Sequence, residues 1–202
     1  SHILEALLEE PTGRIGTTGL SCPKWQRQAS MTTPGAIELQ SILKEFVEAG
    51  CTNTVMEVSS HGLDQERVTG IDFDAAVFTN LSLDHLDYHP TMEDYFAAKA
   101  KLFGEHLLKS KKSKKWAILN QDDTYGQKLQ SMCQLLNLET LSFAIGHPEA
   151  DARVLEADYS PIATHAKLQI LDKTRFIETN LVGRHQLSNI LAALLVAEAA
   201  GK

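Results

Sequence analysis

The sequence predicts an α/β fold: a mainly parallel sheet covered by helices, with a small antiparallel subsheet near the C-terminal end. Three observations predict it. Short apolar runs rich in β-branched residues alternate with amphipathic helical stretches up to Gly146, the pattern of parallel strands joined by helices. Beyond Asp151 three strand-like runs follow without a helix between them, which is the pattern of antiparallel strands. Finally, 202 residues with 43% hydrophobic content are enough to bury one good core with a small appended sheet.

Taken in order, SHILEALLEE reads as a helix, with Ile3, Leu4, Leu7 and Leu8 on one face. RIGTTG (Arg14–Gly19) predicts a short strand ending in a turn, and SCPKWQRQAS a polar exposed loop. Thr33 is placed to cap a helix that has Pro34 at its first position, runs to Ala49 and ends at Gly50. TNTVMEVSS is an apolar strand with Glu57 near its carboxyl end, and DAAVFTN is another. Pro90 stops any helix, and Thr91 begins one with Glu93 and Asp94 in its first turn. KWAILN is a buried strand, Asp122 or Asp123 starts a helix reaching Leu138, and TLSFAIG is the next strand. ARVLEADY, THAKLQIL and RFIETNLVG, the last two joined by the turn Leu171–Thr174, make an antiparallel sheet over 151–183 that packs on the larger one. A glycine turn and an amphipathic helix complete the chain.

Composition narrows the partners. A net charge of -7 argues against a nucleic-acid backbone, and the one dense basic run, Lys109–Lys115, reads as a solvated connection. No apolar run approaches the roughly 18 to 20 residues that span a membrane, and no signal peptide is recognisable. Cys22, Cys51 and Cys133 are too scattered for a CxxC metal site or a disulfide framework, so a reducing, cytoplasmic compartment fits best.

The chemistry concentrates between Thr79 and Phe103. Four potential ligands, Asp84, His85, Asp87 and His89, fall within six positions just after a strand, where open parallel sheets bind ligands. On the helix that follows, Met92, Tyr95, Phe96, Leu102, Phe103 and Leu107 form an apolar face. Lys99 projects from its middle and Lys101 points the opposite way. An amine there must snorkel to water, lose its proton or be chemically altered, because an unpaired buried ammonium is costly. Glu57, in an apolar run, also needs a partner, for which a hard divalent cation such as Mg²⁺ is suited. From the residues alone Thr32 and Thr33 are capping residues or ligand contacts, Ser59 a turn residue or a contact, and Arg67 a surface charge or a carboxylate partner.

TNLSLDHLDYH followed by YFAAKAKLF, with MTTPGAIELQ and MEVSSHGLDQERV, resembles the central domain of the Mur ligases. These ATP-dependent enzymes extend the peptidoglycan stem peptide. The resemblance implies a phosphate-loop-type ATPase fold over 1–202 and points to the branch that adds the third residue, diaminopimelate or lysine. It implies that Lys99 is carbamylated and, with Glu57 and His85, holds Mg²⁺, or Mn²⁺ in its place. It further implies that Thr32, Thr33, Ser59, Gln65 and Arg67 contact the UDP-N-acetylmuramoyl-dipeptide and that Asn189 contacts the adenine of ATP. Met31 and His185-Gln186 depart from the asparagine-containing patterns of many relatives. The family's phosphate loop is expected immediately before the first helix, with further domains on either side.

The implied reaction phosphorylates a D-glutamyl carboxylate to an acyl phosphate, which the amino group of an amino acid then attacks. The alternatives are a substrate-binding fragment without catalysis, a relative of folylpolyglutamate synthase, and a metal-dependent hydrolase. The hydrolase would rest on Asp84, His85, Asp87 and His89, with His61 from SSHG; that segment lacks the GxSxG of a nucleophile elbow.

Overall fold

The structure, a computed structural model, describes residues 5–6 and 9–201. Of the helix expected over the first ten residues, Glu5 and Ala6 are helical, Glu9 and Glu10 are not, and the rest lies outside the described residues. Contacts divide the chain into two compact units: residues up to Asp72 with Leu83–Ser110, and Phe73–Ser82 with Lys111 onward.

The first unit holds β1 (Thr12–Gly16), β2 (Gly19–Cys22), β3 (Trp25–Arg27), α1 (Ala36–Glu48), β4 (Asn53–Met56), α2 (Ser60–Asp64) and α3 (Met92–Lys101). Helix α3 continues into a π-helical segment, Leu102–Leu107. The sheet runs β3-β2-β1-β4, antiparallel except for the parallel pair β1–β4. The polar segment expected to be a loop is therefore part of a β-meander. Contacts to α1 hold it: Trp25 stacks on Phe46 with ring centroids 5.3 Å apart, and Arg27 pairs with Glu45 at 2.9 Å.

Thr33 does not cap α1. Gly35 occupies that position without a side-chain bond, while the Thr33 hydroxyl donates to the Glu57 carbonyl (3.0 Å) and accepts from the Ser59 N–H (2.9 Å). Bonding to the loop after β4 displaces the helix start by two residues. At the other end Gly50, at φ +91°, terminates the helix as expected, with the Cys51 N–H bonded to the Phe46 carbonyl. Thr91 caps α3, accepting from the Asp94 N–H at 3.1 Å.

The second unit holds β5 (Ala75–Phe78), β6 (Trp116–Asn120), α4 (Thr124–Leu135), β7 (Glu139–Ala144), β8 (Ala152–Tyr159), β9 (Thr164–Ile170), β10 (Lys173–Thr179) and α5 (Arg184–Ala199). Its sheet order is β10-β9-β8-β7-β6-β5. Strands β5 to β8 pair in parallel, and β8 to β10 are antiparallel. The antiparallel strands thus extend the parallel sheet at its edge, through β7–β8, and do not stack on its face as the sequence suggested. The β7–β8 ladder is only two residue pairs long, Phe143–Ala152 and Ala144–Arg153, and supplies that continuity.

Alternation along β5 shows how the helices cover this sheet. Ala75 and Val77 pack into the cluster formed by Ile118, Phe143, Leu168, Leu187, Leu191 and Leu195, the last three from α5. Phe78 points the other way and approaches Gly126 of α4, so α4 and α5 lie on opposite faces. A methyl group at Gly126 would collide with the Asn120 carbonyl, so glycine sets the close approach of α4 to β6. Asp123 caps α4 as expected, accepting from the N–H groups of Tyr125 and Gly126. Polar side chains tie the carboxyl strand ends: Asn120 donates to the Thr79 carbonyl (2.6 Å), Asp123 accepts from the Leu81 N–H (2.9 Å), and Asp122 accepts from the Ile145 N–H (2.6 Å).

Candidate functional site

The first unit holds every candidate residue except Asn189. Strands β1 and β4 run parallel in the register Ile15–Met56, so Gly16-Thr17 and Glu57 emerge side by side at their carboxyl ends. The Glu57 carboxylate accepts from the Thr17 N–H (3.0 Å) and hydroxyl (2.7 Å). With that proton directed to Glu57, the 3.1 Å contact between the Thr17 and Thr32 hydroxyls leaves Thr32 as donor. A methyl group on Gly16 would lie 2.8 Å from the Glu57 carboxyl carbon, so a larger residue there would displace the carboxylate. Sequence reasoning missed Thr17; its signal was a threonine ending the strand beside Glu57.

The next layer follows from the ends of α2. Ser59 caps this helix, accepting from the Gly62 N–H at 3.0 Å. At the other end Glu66 adopts φ +55° and the Arg67 N–H bonds to the Gly62 carbonyl. Arg67 donates through Nη1 to the Thr33 carbonyl (2.8 Å) and to Met31 Sδ (3.1 Å). It donates through Nε and Nη2 to Gln65 Oε1, at 3.1 and 2.6 Å. Gln65 in turn donates to the Tyr88 hydroxyl at 3.2 Å, and that hydroxyl donates to Asp64 at 2.9 Å. Lys101 pairs with Asp64 at 3.2 Å. The bond from Tyr88, followed by that from Lys101, holds the Asp64 carboxyl below its usual range.

His85 sits at φ +55°, a left-handed conformation uncommon outside glycine, at the start of the tight turn closed by the Tyr88 and His89 N–H bonds to its carbonyl. The turn gathers aromatic rings. His61 lies 5.2 Å from His85, 5.7 Å from His89 and 4.0 Å from Tyr88 between centroids. Tyr95 packs on both loop histidines, edge-on to His85 at 5.6 Å and stacked on His89 at 5.2 Å. His89 is buried, and its Nε2 has no hydrogen-bond partner among the described residues. Burial, reinforced by neighbouring His61, lowers its pKa. Burial, with the Asp84 charge, raises that of Tyr95.

Lys99 is half-buried on α3, one turn after Tyr95, with Nζ 5.4 Å from that ring's centroid. Burial lowers its pKa, which favours the neutral amine. It makes no hydrogen bond or ion pair among the described residues, whereas Lys101, two positions on, points away to Asp64 as expected. Tyr95 therefore carries the Lys99 amine and the His85 imidazole on one ring. Among the described residues, no three His, Cys, Asp or Glu side chains converge to hold a metal ion. Asp84 bonds instead to the His85 N–H (2.8 Å), and Asp87 is exposed. Asn189 lies in the second unit, exposed on α5 between the buried residues Leu187 and Ile190. No helix among the described residues is long and apolar enough to cross a membrane.

Polar side chains collected at the carboxyl ends of parallel strands define an α/β domain of the ligand-binding class. Comparison with known proteins specifies it further. The Mur ligase middle domain matches residues 1–197, and the chain belongs to that family. It is 41% identical over 198 residues to the UDP-N-acetylmuramoyl-L-alanyl-D-glutamate--2,6-diaminopimelate ligase of Nostoc sp., and 40% identical over 200 residues to that of Aquifex aeolicus. These matches cover 96% and 98% of this chain but only 38% and 39% of the relatives, so the chain spans less than half of their length. A solved structure of a ligase of the same name superposes with a TM-score of 0.86 at 33% identity, over 99% of this chain and 40% of that one. Folylpolyglutamate synthase from Mycobacterium tuberculosis, at TM-score 0.76 and 18% identity, covers 98% of this chain and 50% of its own; it shares the fold.

Proposed function

We propose that this chain is the central domain of an ATP-dependent ligase that adds the third amino acid to UDP-N-acetylmuramoyl-L-alanyl-D-glutamate in peptidoglycan synthesis. The names of its relatives support diaminopimelate as that amino acid. ATP converts the D-glutamyl carboxylate to an acyl phosphate, the amino acid's nitrogen attacks the acyl carbon, and phosphate departs. Arg67, clamped by Gln65 and the Thr33 carbonyl, pairs with a carboxylate of the muramoyl-dipeptide. Thr32 and Ser59 contribute hydroxyls to the same substrate, with Thr33 bracing the loop between them, and Asn189 meets the adenine.

The observation that carries this reading is the Lys99 amine, without a hydrogen-bond or ion-pair partner among the described residues, held on the same tyrosine ring as His85. Carbon dioxide adds to a neutral amine, and burial favours that form of Lys99. The product is a carbamate, an oxygen anion in a place where an ammonium would repel a cation. The donor set then fits a hard divalent ion: Glu57, His85 and the Lys99 carbamate would hold Mg²⁺, with Mn²⁺ as substitute. Bound there, the ion would offset the repulsion between phosphate and carboxylate.

The test uses the complete enzyme equilibrated with ¹³C-labelled bicarbonate. A carbamate carbon resonance present in the parent and absent in Lys99→Ala is expected. A fully active enzyme without that resonance would refute the assignment.

A further inference from the structure

We infer that Tyr88 is a positioning residue, whose hydroxyl fixes the Gln65 amide so that Gln65 clamps Arg67 for the substrate carboxylate. The inference rests on the proposed function and adds a residue to it. Direction is the argument. Asp64 is paired with Lys101 at 3.2 Å and its carboxyl is held ionised, so it can only accept. The Tyr88 proton therefore points to Asp64, across 2.9 Å. That leaves the phenol oxygen facing Gln65 as an acceptor, and only the amide NH₂ can satisfy it, at 3.2 Å. With Nε2 so engaged, Oε1 must face Arg67, where it accepts two hydrogen bonds from the guanidinium edge.

A flipped Gln65 amide would turn its NH₂ to the guanidinium, donors facing donors, and the Tyr88 oxygen disfavours that flip further. The ring of Tyr88 is itself located, lying 4.0 Å from His61 and 4.8 Å from His89 between centroids. The chain of bonds thus runs from a lysine on α3, through a carboxylate on α2 and a phenol in the His85 turn, to the arginine beyond α2. Arg67 keeps two donors directed at protein carbonyl or sulfur, and its fork is fixed before substrate arrives. Pre-organisation of this kind strengthens binding by lowering the entropy lost on association.

The test is steady-state kinetics on the complete enzyme with Tyr88→Phe, Gln65→Ala, their double variant and Arg67→Ala. Tyr88→Phe keeps the ring and removes only the hydroxyl. It should raise KM for the nucleotide-peptide about three- to tenfold, the equivalent of one neutral hydrogen bond, and leave KM for ATP unchanged. The double variant should be no worse than Gln65→Ala alone, because the hydroxyl acts only through the amide. Additive losses, or an equal rise in both KM values, would overturn the role. So would an unchanged nucleotide-peptide KM in Tyr88→Phe beside a raised one in Arg67→Ala, which leaves the proposed function standing. An unchanged value in Arg67→Ala would instead remove Arg67 from the substrate and overturn both.

Discussion

The two units of this chain differ in what accompanies their apolar cores. In the second, Ile118, Phe143, Leu168, Leu187, Leu191 and Leu195 meet around one face of a six-stranded sheet. Its polar side chains, such as Asn120, Asp122 and Asp123, tie strand ends to neighbouring backbone. The first unit also has an apolar core, with Leu39, Ile42, Phe46, Leu63 and Phe103 buried. Beside it, however, α2, the His85 turn and α3 gather histidine and tyrosine rings, a lysine without a hydrogen-bond or ion-pair partner among the described residues, and an exposed chain of side-chain hydrogen bonds. Apolar burial stabilises in proportion to area and is indifferent to direction, whereas rings with donors and acceptors hold particular atoms in particular orientations. The first arrangement suits a scaffold and the second suits chemistry.

Substitutions should separate the two roles. The largest effect is expected from Phe143→Ala, which empties the centre of the apolar cluster and should cost about 3 to 5 kcal/mol in urea unfolding. A loss below 1 kcal/mol would mean that this core does not carry the unit's stability. Next is Lys99→Ala, expected to lower ligase activity of the complete enzyme about a hundredfold or more, since loss of a metal ligand exceeds loss of its supporting partners. Its melting temperature should scarcely change, because no bond is lost; formate or acetate should restore part of the activity, and amines none. Arg67→Ala should raise the nucleotide-peptide KM about tenfold or more, the value of a charge-assisted pair, without affecting that for ATP.

The smallest effect concerns pH. The Asp64 carboxyl is held low by Tyr88 and Lys101, so its contribution to stability is present above the usual carboxylate pKa and is lost as pH falls through its lowered value. Asp64→Asn should therefore melt slightly below the parent at neutral pH and converge with it in acid. A gap that widens in acid would contradict this sign. The exposure of the pair keeps the effect small.

Much of the scaffold was legible along the chain because its signals are local. Asp123 and Thr91 announce their helices, Gly50 ends one, and the apolar strands β4 to β7 stand out by composition. Lys99 could be singled out because helical periodicity alone places it on an apolar face. Local signals misled where a long-range bond outweighed them. Thr33 has the residue type and position of a cap, yet two bonds to the Glu57–Ser59 loop draw it away. The segment Ser21–Ser30 reads as loop, yet stacking on Phe46 and pairing with Glu45 make part of it strand.

The sequence by itself determined the α/β class, the family and the residues worth testing, because periodicity, capping and motif spacing are properties of neighbouring positions. Only the tertiary structure decided that the antiparallel strands extend the sheet edgewise, that Thr17 partners Glu57, and that Tyr88 completes the clamp on Arg67. The last two join residues distant in sequence, 21 positions between Arg67 and Tyr88 and 40 between Thr17 and Glu57. Their meeting depends on strand register, on a glycine that admits a carboxylate beside it, and on one histidine turned into the left-handed region. Those are set by packing of the whole chain, which no local pattern encodes.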